Sequence, residues 1–271
     1  MSLISSSEPL RFVHISDTHF GPTRDFELYG IVSYVNAERI IAAINALPFT
    51  PDFVFHTGDV TSFPDTEAYK LAARVFSQLK VPMFFATGNH DLARKIRAHL
   101  PMGEAVFSSI DENVLSYAFE LKGYRFITLD ARGPDAIDPH GVLSLHQCDF
   151  LKNQIEQDTL PFAVFIHFPA LRLDSHWFDE LMLLLNGDIL HQILIPQRDR
   201  VRGVFFGHVH RGMKILKDGI LYASVASTGG QFSAYPGDAS AQLDVHHPPC
   251  FNIVTFMNGQ TIIKEHSIAK S

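Results

Sequence analysis

The sequence predicts an α/β fold in which strands alternate with helices, and three patterns predict it. Apolar runs of strand length recur at residues 11–16, 52–57 and 81–87, and the segments between them carry apolar residues at helical spacing. Each run stops in a small residue followed by an aspartate or an asparagine. Further along, residues 114–120 and 124–130 flank a Lys122-Gly123 turn and read as a hairpin that starts or extends a second sheet.

Composition bounds what such a fold could do. With 271 residues, 46% of them hydrophobic, the chain can bury one large core, and a single domain over 1–271 is expected. A formal charge of -7 argues against a nucleic-acid polymer as partner, since a backbone binder shows a basic face. Cys148 and Cys250 lie far apart with no CxxC spacing, which suits a reduced, cytoplasmic setting. Residues 1–10 lack the basic and apolar regions of a signal peptide. The longest apolar stretch, 181–185, is too short to span a bilayer, so no transmembrane segment is expected. Histidine is over-supplied at 15, with several beside aspartates or one another.

Taken in order, the first run delivers Asp17-Thr18-His19. Residues two apart at a strand end can point the same way, so an oxygen and a nitrogen could grip one cation; a capped, solvated turn would use the same residues. A loop with Gly21, Pro22 and Gly30 leads to a helix with Ala37, Ile40, Ile41 and Ile44 on one face. The second run ends in Gly58-Asp59, whose two carboxylate oxygens could bridge two cations. His56, on the strand itself, reads as a core or supporting histidine. After a helix over 65–79, the third run ends in Gly88-Asn89-His90-Asp91. There Asn89 offers an amide oxygen to a cation, His90 a proton or hydrogen bond, and Asp91 a carboxylate to hold the imidazole. Right-handed crossovers in this βαβαβ pattern would make Asp17, His19, Asp59 and Asn89 neighbours.

A helix over 91–99 is expected next, then the hairpin, whose following loop carries Asp130, Arg132 and Asp135 as solvated residues. A helix over 144–158 turns Cys148, Leu151 and Ile155 inward. The fourth run, 162–166, places His167 at its mouth. After leucine-rich helices, the fifth, 201–206, closes in Gly207-His208-Val209-His210, an H-x-H spacing suited to imidazole coordination. Residues 251–257 and 261–265 form a second expected hairpin around Asn258-Gly259.

In this order, Asp17-x-His19, Gly58-Asp59, Gly88-Asn89-His90-Asp91, His167 and Gly207-His208-x-His210 resemble the signature of the calcineurin-like metallophosphoesterases over residues 10–230. Within that superfamily the chain resembles the class III cyclic-nucleotide phosphodiesterase and glycerophosphodiesterase branch. The resemblance implies a four-layer α-β-β-α sandwich, two mixed β-sheets flanked by helices. It implies Asp17, His19 and His210 on one metal, Asn89, His167 and His208 on a second, and Asp59 bridging. It also makes His90 the group that stabilises the transition state or protonates the leaving oxygen, with Asp91 orienting it. Relatives often carry a histidine where this chain has Phe168, which would make the mouth of the site more apolar. His246-His247-Pro248-Pro249 mimics a family histidine pair but comes too late in the chain and reads as a loop.

The expected chemistry is hydrolysis of a phosphodiester by a metal-bridging hydroxide, with a small phosphate ester of cyclic nucleotide or glycerophosphodiester type as substrate. A phosphomonoesterase and a silent metal-binding scaffold are the alternatives. The cofactor is expected to be two divalent or mixed-valence ions of Mn, Fe, Zn or Co. Rim residues are sought in the 21–30 loop and in Gln231, Phe232 and Tyr235. Residues 239–271 are expected as a C-terminal hairpin or cap extension; such elements in relatives cap the site or build a homodimer, and the sequence leaves both roles open.

Overall fold

A computed structural model of the chain describes residues 8–107 and 112–268. The sequence-predicted absence of a signal peptide rests largely on residues 1–7, which lie outside them. The chain runs through β1 (Leu10–Ile15), β2 (Glu27–Leu28), β3 (Ile31–Val32), α1 (Ser33–Asn45), β4 (Phe53–His56), α2 (Thr66–Phe76), β5 (Met83–Phe85) and α3 (Ala93–His99). It continues with β6 (Val106–Phe107), β7 (Tyr117–Leu121), β8 (Tyr124–Thr128), α4 (Leu145–Glu156), β9 (Phe162–Phe165), α5 (His176–Leu181), α6 (Gly187–Leu194) and β10 (Val201–Phe206). β11 (Lys214–Lys217), β12 (Ile220–Ser224), β13 (Cys250–Met257) and β14 (Gln260–Ser267) complete it.

The strands form two mixed sheets and a small β2-β3 ribbon. One sheet has the order β14-β13-β1-β4-β5, with β1, β4 and β5 parallel and β13 antiparallel to β1. The other runs β11-β12-β10-β9-β8-β7-β6, and its central strands β12, β10, β9 and β8 are parallel. Parallel neighbours present their C-terminal ends along one edge, which is where every expected motif begins.

Alternation along each strand builds the layers. In β4, Phe53 and Phe55 face the second sheet, while His56 packs on Phe76 of α2. In the second sheet Phe126, Phe165 and Phe205 face inward; Ile127, Val164, Val204 and Phe206 face outward into a separate cluster with residues of α4 and α6. The inter-sheet layer is thus aromatic. Phe12 stacks on Phe53 at 4.9 Å and meets Phe165 and Phe205 edge-on at 5.6 and 5.3 Å, and Phe126 lies 5.0 Å from Phe53. This layer uses much of the chain's supply of 23 phenylalanines, each pair adding roughly 0.5–1.5 kcal/mol beyond its area burial. The four-layer expectation is met.

Local signals explain the helix starts. Asp65 caps α2 by accepting from the Glu67 and Ala68 N–H groups, and Ser144 with Gln147 makes a reciprocal capping box at α4. The expected C-terminal hairpin is present as β13-β14, where β13 pairs along β1 and widens the first sheet. No helix among the described residues is long and apolar enough to cross a membrane. Both cysteines are free and buried, and Cys148 belongs to the core as expected.

Candidate metal centre

The turns that leave β1, β4 and β10 share an unusual backbone. Asp17 (φ 55°), His19 (47°), Asp59 (54°), His208 (71°) and His210 (49°) all adopt the left-handed conformation, which costs a non-glycine residue roughly 1–2 kcal/mol. The expectation that Asp17 and His19 share a direction through the strand pleat is therefore corrected. β1 ends at Ile15, and the two side chains converge because both ends of the D-x-H triplet are left-handed, as are both ends of the H-x-H triplet. Strain of this kind persists where surrounding structure over-determines it, and the fit here is tight. A Cβ on Gly88 would stand 2.0 Å from Asp59 Oδ1, and one on Gly207 would stand 2.0 Å from Ser16 Oγ and 2.8 Å from Asp17 Oδ2. These glycines are needed for close approach.

Three overlapping donor groups result, one of them His19, Asp59 and His90. Asp17, His19 and His210 bring ligand atoms within 4.8 Å of one another, and so do Asp59, His167 and His208. His19 Nε2 lies 3.0 Å from His210 Nε2, and His210 Nε2 lies 3.5 Å from Asp17 Oδ1. His167 Nε2 lies 3.0 Å from His208 Nδ1 and 3.3 Å from Asp59 Oδ2. The same Asp59 oxygen is 3.7 Å from His19 Nε2, so one carboxylate touches the Asp17 group and the His167 group alike. Asn89 Oδ1 is buried with no hydrogen-bond partner and lines the same cleft with His19, Asp59, His208 and His210.

The remote ring nitrogens define what faces the centre. His167 Nδ1, His208 Nε2 and His210 Nδ1 donate to the carbonyls of Thr57 (2.7 Å), Pro139 (2.9 Å) and Gly230 (2.7 Å). In neutral rings the inward nitrogens of His167 and His208 then carry lone pairs, 3.0 Å apart. Once His167 gives up its second proton, the two facing nitrogens and the orphaned amide oxygen form a donor set that fits a cation. The field is strongly coupled as well. Burial opposes charge on His167, yet the Asp59 and Asp17 carboxylates override it and raise its pKa to about 9. Burial holds His19 and His208 well below the ordinary histidine value.

His90 and Asp91 behave differently from expectation. Asp91 is fully buried and accepts from the N–H groups of Gly88 (3.1 Å), Val60 (3.1 Å) and Thr61 (3.3 Å) and from the Tyr69 hydroxyl (3.1 Å). The group on His90 Nδ1 is instead the Ser62 carbonyl, 2.9 Å away, while the His90 N–H donates to Asp59 Oδ1 at 3.0 Å. A carboxylate satisfied by three backbone donors and a hydroxyl shapes the turn; it does not orient the imidazole. Phe168 also departs from expectation. It is 0% exposed, edge-on to His167 and His208 at 5.0 and 4.9 Å, so it packs beneath these two histidines and does not form the mouth.

The cleft above the centre has a volume of about 370 Å³. Its walls include Leu28, Tyr29, Phe63, Trp177, Leu181 and Phe232. Phe232 stacks on His210 at 4.5 Å and carries Trp177 and Tyr29 against its edges. Of the rim residues sought in sequence, the 21–30 loop and Phe232 contribute; Gln231 is buried under the neighbouring cavity and Tyr235 does not line the cleft. Phe63 and Trp177 were missed, as no local pattern separates a rim aromatic from a core one. Arg132, expected to be solvated, donates from Nε to the Asn89 carbonyl at 3.1 Å. His56 supports the site as expected, bonding Thr18 Oγ1 and accepting from Gly58 N–H.

Comparison with known proteins agrees with this geometry. Residues 10–212 match the model of the calcineurin-like phosphoesterase family. The chain is a calcineurin-like phosphoesterase. It is 24% identical over 268 residues to a 3′,5′-cyclic adenosine monophosphate phosphodiesterase, CpdA, of Vibrio vulnificus, covering 97% of this chain and 92% of that protein. It is 28% identical over 262 residues to the glycerophosphodiester phosphodiesterase GpdQ of Enterobacter lignolyticus, covering 94% and 90%. Its fold matches a dimetal phosphatase from Danio rerio with a TM-score of 0.66 at 14% identity, over 96% of this chain and 99% of that one. Phosphoesterases of this family bind divalent metals, and the clustered donors of this chain accord with that.

Proposed function

We propose that this phosphoesterase is a dinuclear, metal-dependent phosphodiesterase acting on a small diester, with a cyclic nucleotide the favoured class. Asp17, His19 and His210 would hold one cation; Asn89, His167 and His208 would hold the other. The observation that carries the reading is Asp59, whose Oδ2 lies 3.7 Å from His19 Nε2 and 3.3 Å from His167 Nε2 and so can serve both. Cations held there would neutralise phosphate oxygens and acidify a water into a nucleophile. A set of imidazoles, carboxylates and one amide, without thiolate, suits Mn, Fe, Zn or Co.

The remaining work falls to the chain's own residues. Asp59 accepts the His90 N–H, which ties the bridging position to the turn that presents the imidazole. With Nδ1 committed to the Ser62 carbonyl, His90 Nε2 is the nitrogen available to bring a proton to the leaving oxygen. Arg132 steadies Asn89 through its carbonyl, and Asp91 holds the Gly88-Asp91 turn closed. We assign these two as positioning residues. Substrate preference follows from the walls: Tyr29, Phe63 and Leu181 are 52%, 57% and 49% exposed at the cleft, apolar groups with aromatic faces among them that suit a nucleobase better than glycerol. The CpdA relative acts on such a substrate by name. A net charge of -7 supports a small ester over a nucleic-acid polymer, and two free thiols support a reducing compartment. Because β13 and β14 complete the ligand-bearing sheet, we treat 1–271 as one catalytic domain.

Chelated protein restored with Mn²⁺ tests the reading on bis(p-nitrophenyl) phosphate and p-nitrophenyl phosphate. Chelation should abolish turnover, Mn²⁺ should restore it, and the diester should be preferred. Monoester preference would instead make the chain a phosphomonoesterase, and turnover indifferent to chelation would defeat the dinuclear reading. Between cyclic AMP and glycerophosphocholine, Phe63→Ala should raise KM for the former about tenfold, the loss of one base-aromatic contact.

A further inference from the structure

The described residues hold a second kind of donor cluster outside the catalytic cleft. His247, Cys250 and Glu265 bring one ligand atom each within 4.8 Å of one another, and none of the three lines the cleft. Cys250 opens β13, opposite Ser267 of β14, and Glu265 stands opposite Asn252. Residues two apart on a strand share a face, so the thiol and the carboxylate are diagonal neighbours on one side of the hairpin. His247 reaches them from the preceding loop, where Pro248 and Pro249 restrict the backbone over the three-residue span. Its Nε2 lies 3.7 Å from Cys250 Sγ. A tetrahedral zinc ion with ordinary bond lengths separates its sulfur and nitrogen ligands by about 3.6 Å.

We propose that His247, Cys250 and Glu265 form a further cation site, of zinc type, distinct from the catalytic centre in containing a thiolate. Thiolate, imidazole and carboxylate together are a borderline-soft set that favours Zn²⁺ over Mn²⁺ or Mg²⁺, with solvent completing the coordination beside exposed Glu265. Loading replaces the Cys250 S–H bond, which now points to the Pro248 carbonyl at 3.2 Å, by a sulfur-metal bond and releases the proton to water. Without a cation the arrangement is unfavourable for charge: burial, and then the Glu265 carboxylate, push the Cys250 thiol up to about 12. The cation nearby, Arg211, is engaged by Asp244 at 2.7 Å and is itself the neighbour of His210. A metal here would staple the 244–249 loop to the β13-β14 hairpin, and that loop walls a cavity of about 520 Å³ through Asp244, Val245, His247 and Pro249.

Co²⁺ titration of the metal-stripped full chain reads this site without an activity assay. Sulfur-to-cobalt charge transfer in the near ultraviolet needs a thiolate, and the catalytic set has none. The band should develop in the wild type, in Cys148→Ser and in His208→Ala, which separates it from the catalytic reading. It should vanish in Cys250→Ser and weaken at least tenfold in apparent affinity in His247→Asn and in Glu265→Gln, whose altered side chains are half-buried and exposed. Absence of the band in the wild type overturns the proposal. So does its persistence in Cys250→Ser, or an affinity unmoved by both His247→Asn and Glu265→Gln.

Discussion

Asp91 shows how a side chain at the centre of a motif can act without touching the chemistry. Its carboxylate gathers three backbone N–H groups and the Tyr69 hydroxyl in a fully buried position, while His90 beside it leans on the Ser62 carbonyl. The two should separate on mutation. His90→Asn is expected to lower kcat by 10²–10⁴ with little change in thermal unfolding, the range for losing a general acid. Asp91→Ala leaves five buried donors, the Thr61 hydroxyl among them, without this acceptor and should cost about 3 kcal/mol or more in urea unfolding, with activity falling through lost metal. The seven proposed donors could be singled out in the sequence because each follows an apolar run. The carbonyls of Thr57, Ser62, Pro139 and Gly230 that aim the rings could not, since a backbone oxygen leaves no mark on residue identity.

Strand ends, and the glycines that let them approach, carry the next level of organisation. Gly88 leaves room for the Asp59 carboxylate, so the β5 turn is built around the product of β4. Gly88→Ala, with its Cβ 2.0 Å from Asp59 Oδ1, should displace the Asp59 carboxylate proposed to bridge. The expected outcome is at least one cation lost per chain by metal analysis and activity down more than about 100-fold, the scale of a misplacement near 1 Å. Strands were readable because runs such as Phe53–His56 are buried on both faces. Their sheet membership was less so. Period-2 alternation identifies a hairpin at β13-β14 but not which sheet it joins, and the two-residue strands β2 and β3 are too short to carry a pattern.

Across the whole molecule, the price of so many buried histidines is acid sensitivity. Burial lowers His14 and His56 to about 3, while an unfolded histidine keeps its value near 6.5. Between those values the unfolded chain binds the extra proton, so stability rises with pH and is lost as pH falls below about 6.5. Neither residue is in the proposed ligand set. Urea unfolding of chelated protein between pH 6 and 5 should therefore give a slope that is smaller by roughly 1 kcal/mol per pH unit in His14→Gln than in the wild type.

All seven proposed donors, Asp17 to His210, lie within the 10–212 segment that defines the family, yet β1, which launches the first of them, is flanked on one side by β13 from residues 250–257. A product cut after residue 212 would keep every donor and still leave β1 a bare sheet margin, with amides and carbonyls from Leu10 to His14 offered to any neighbouring chain. The closing hairpin thus acts as a guard against self-association for the strand on which the site is founded.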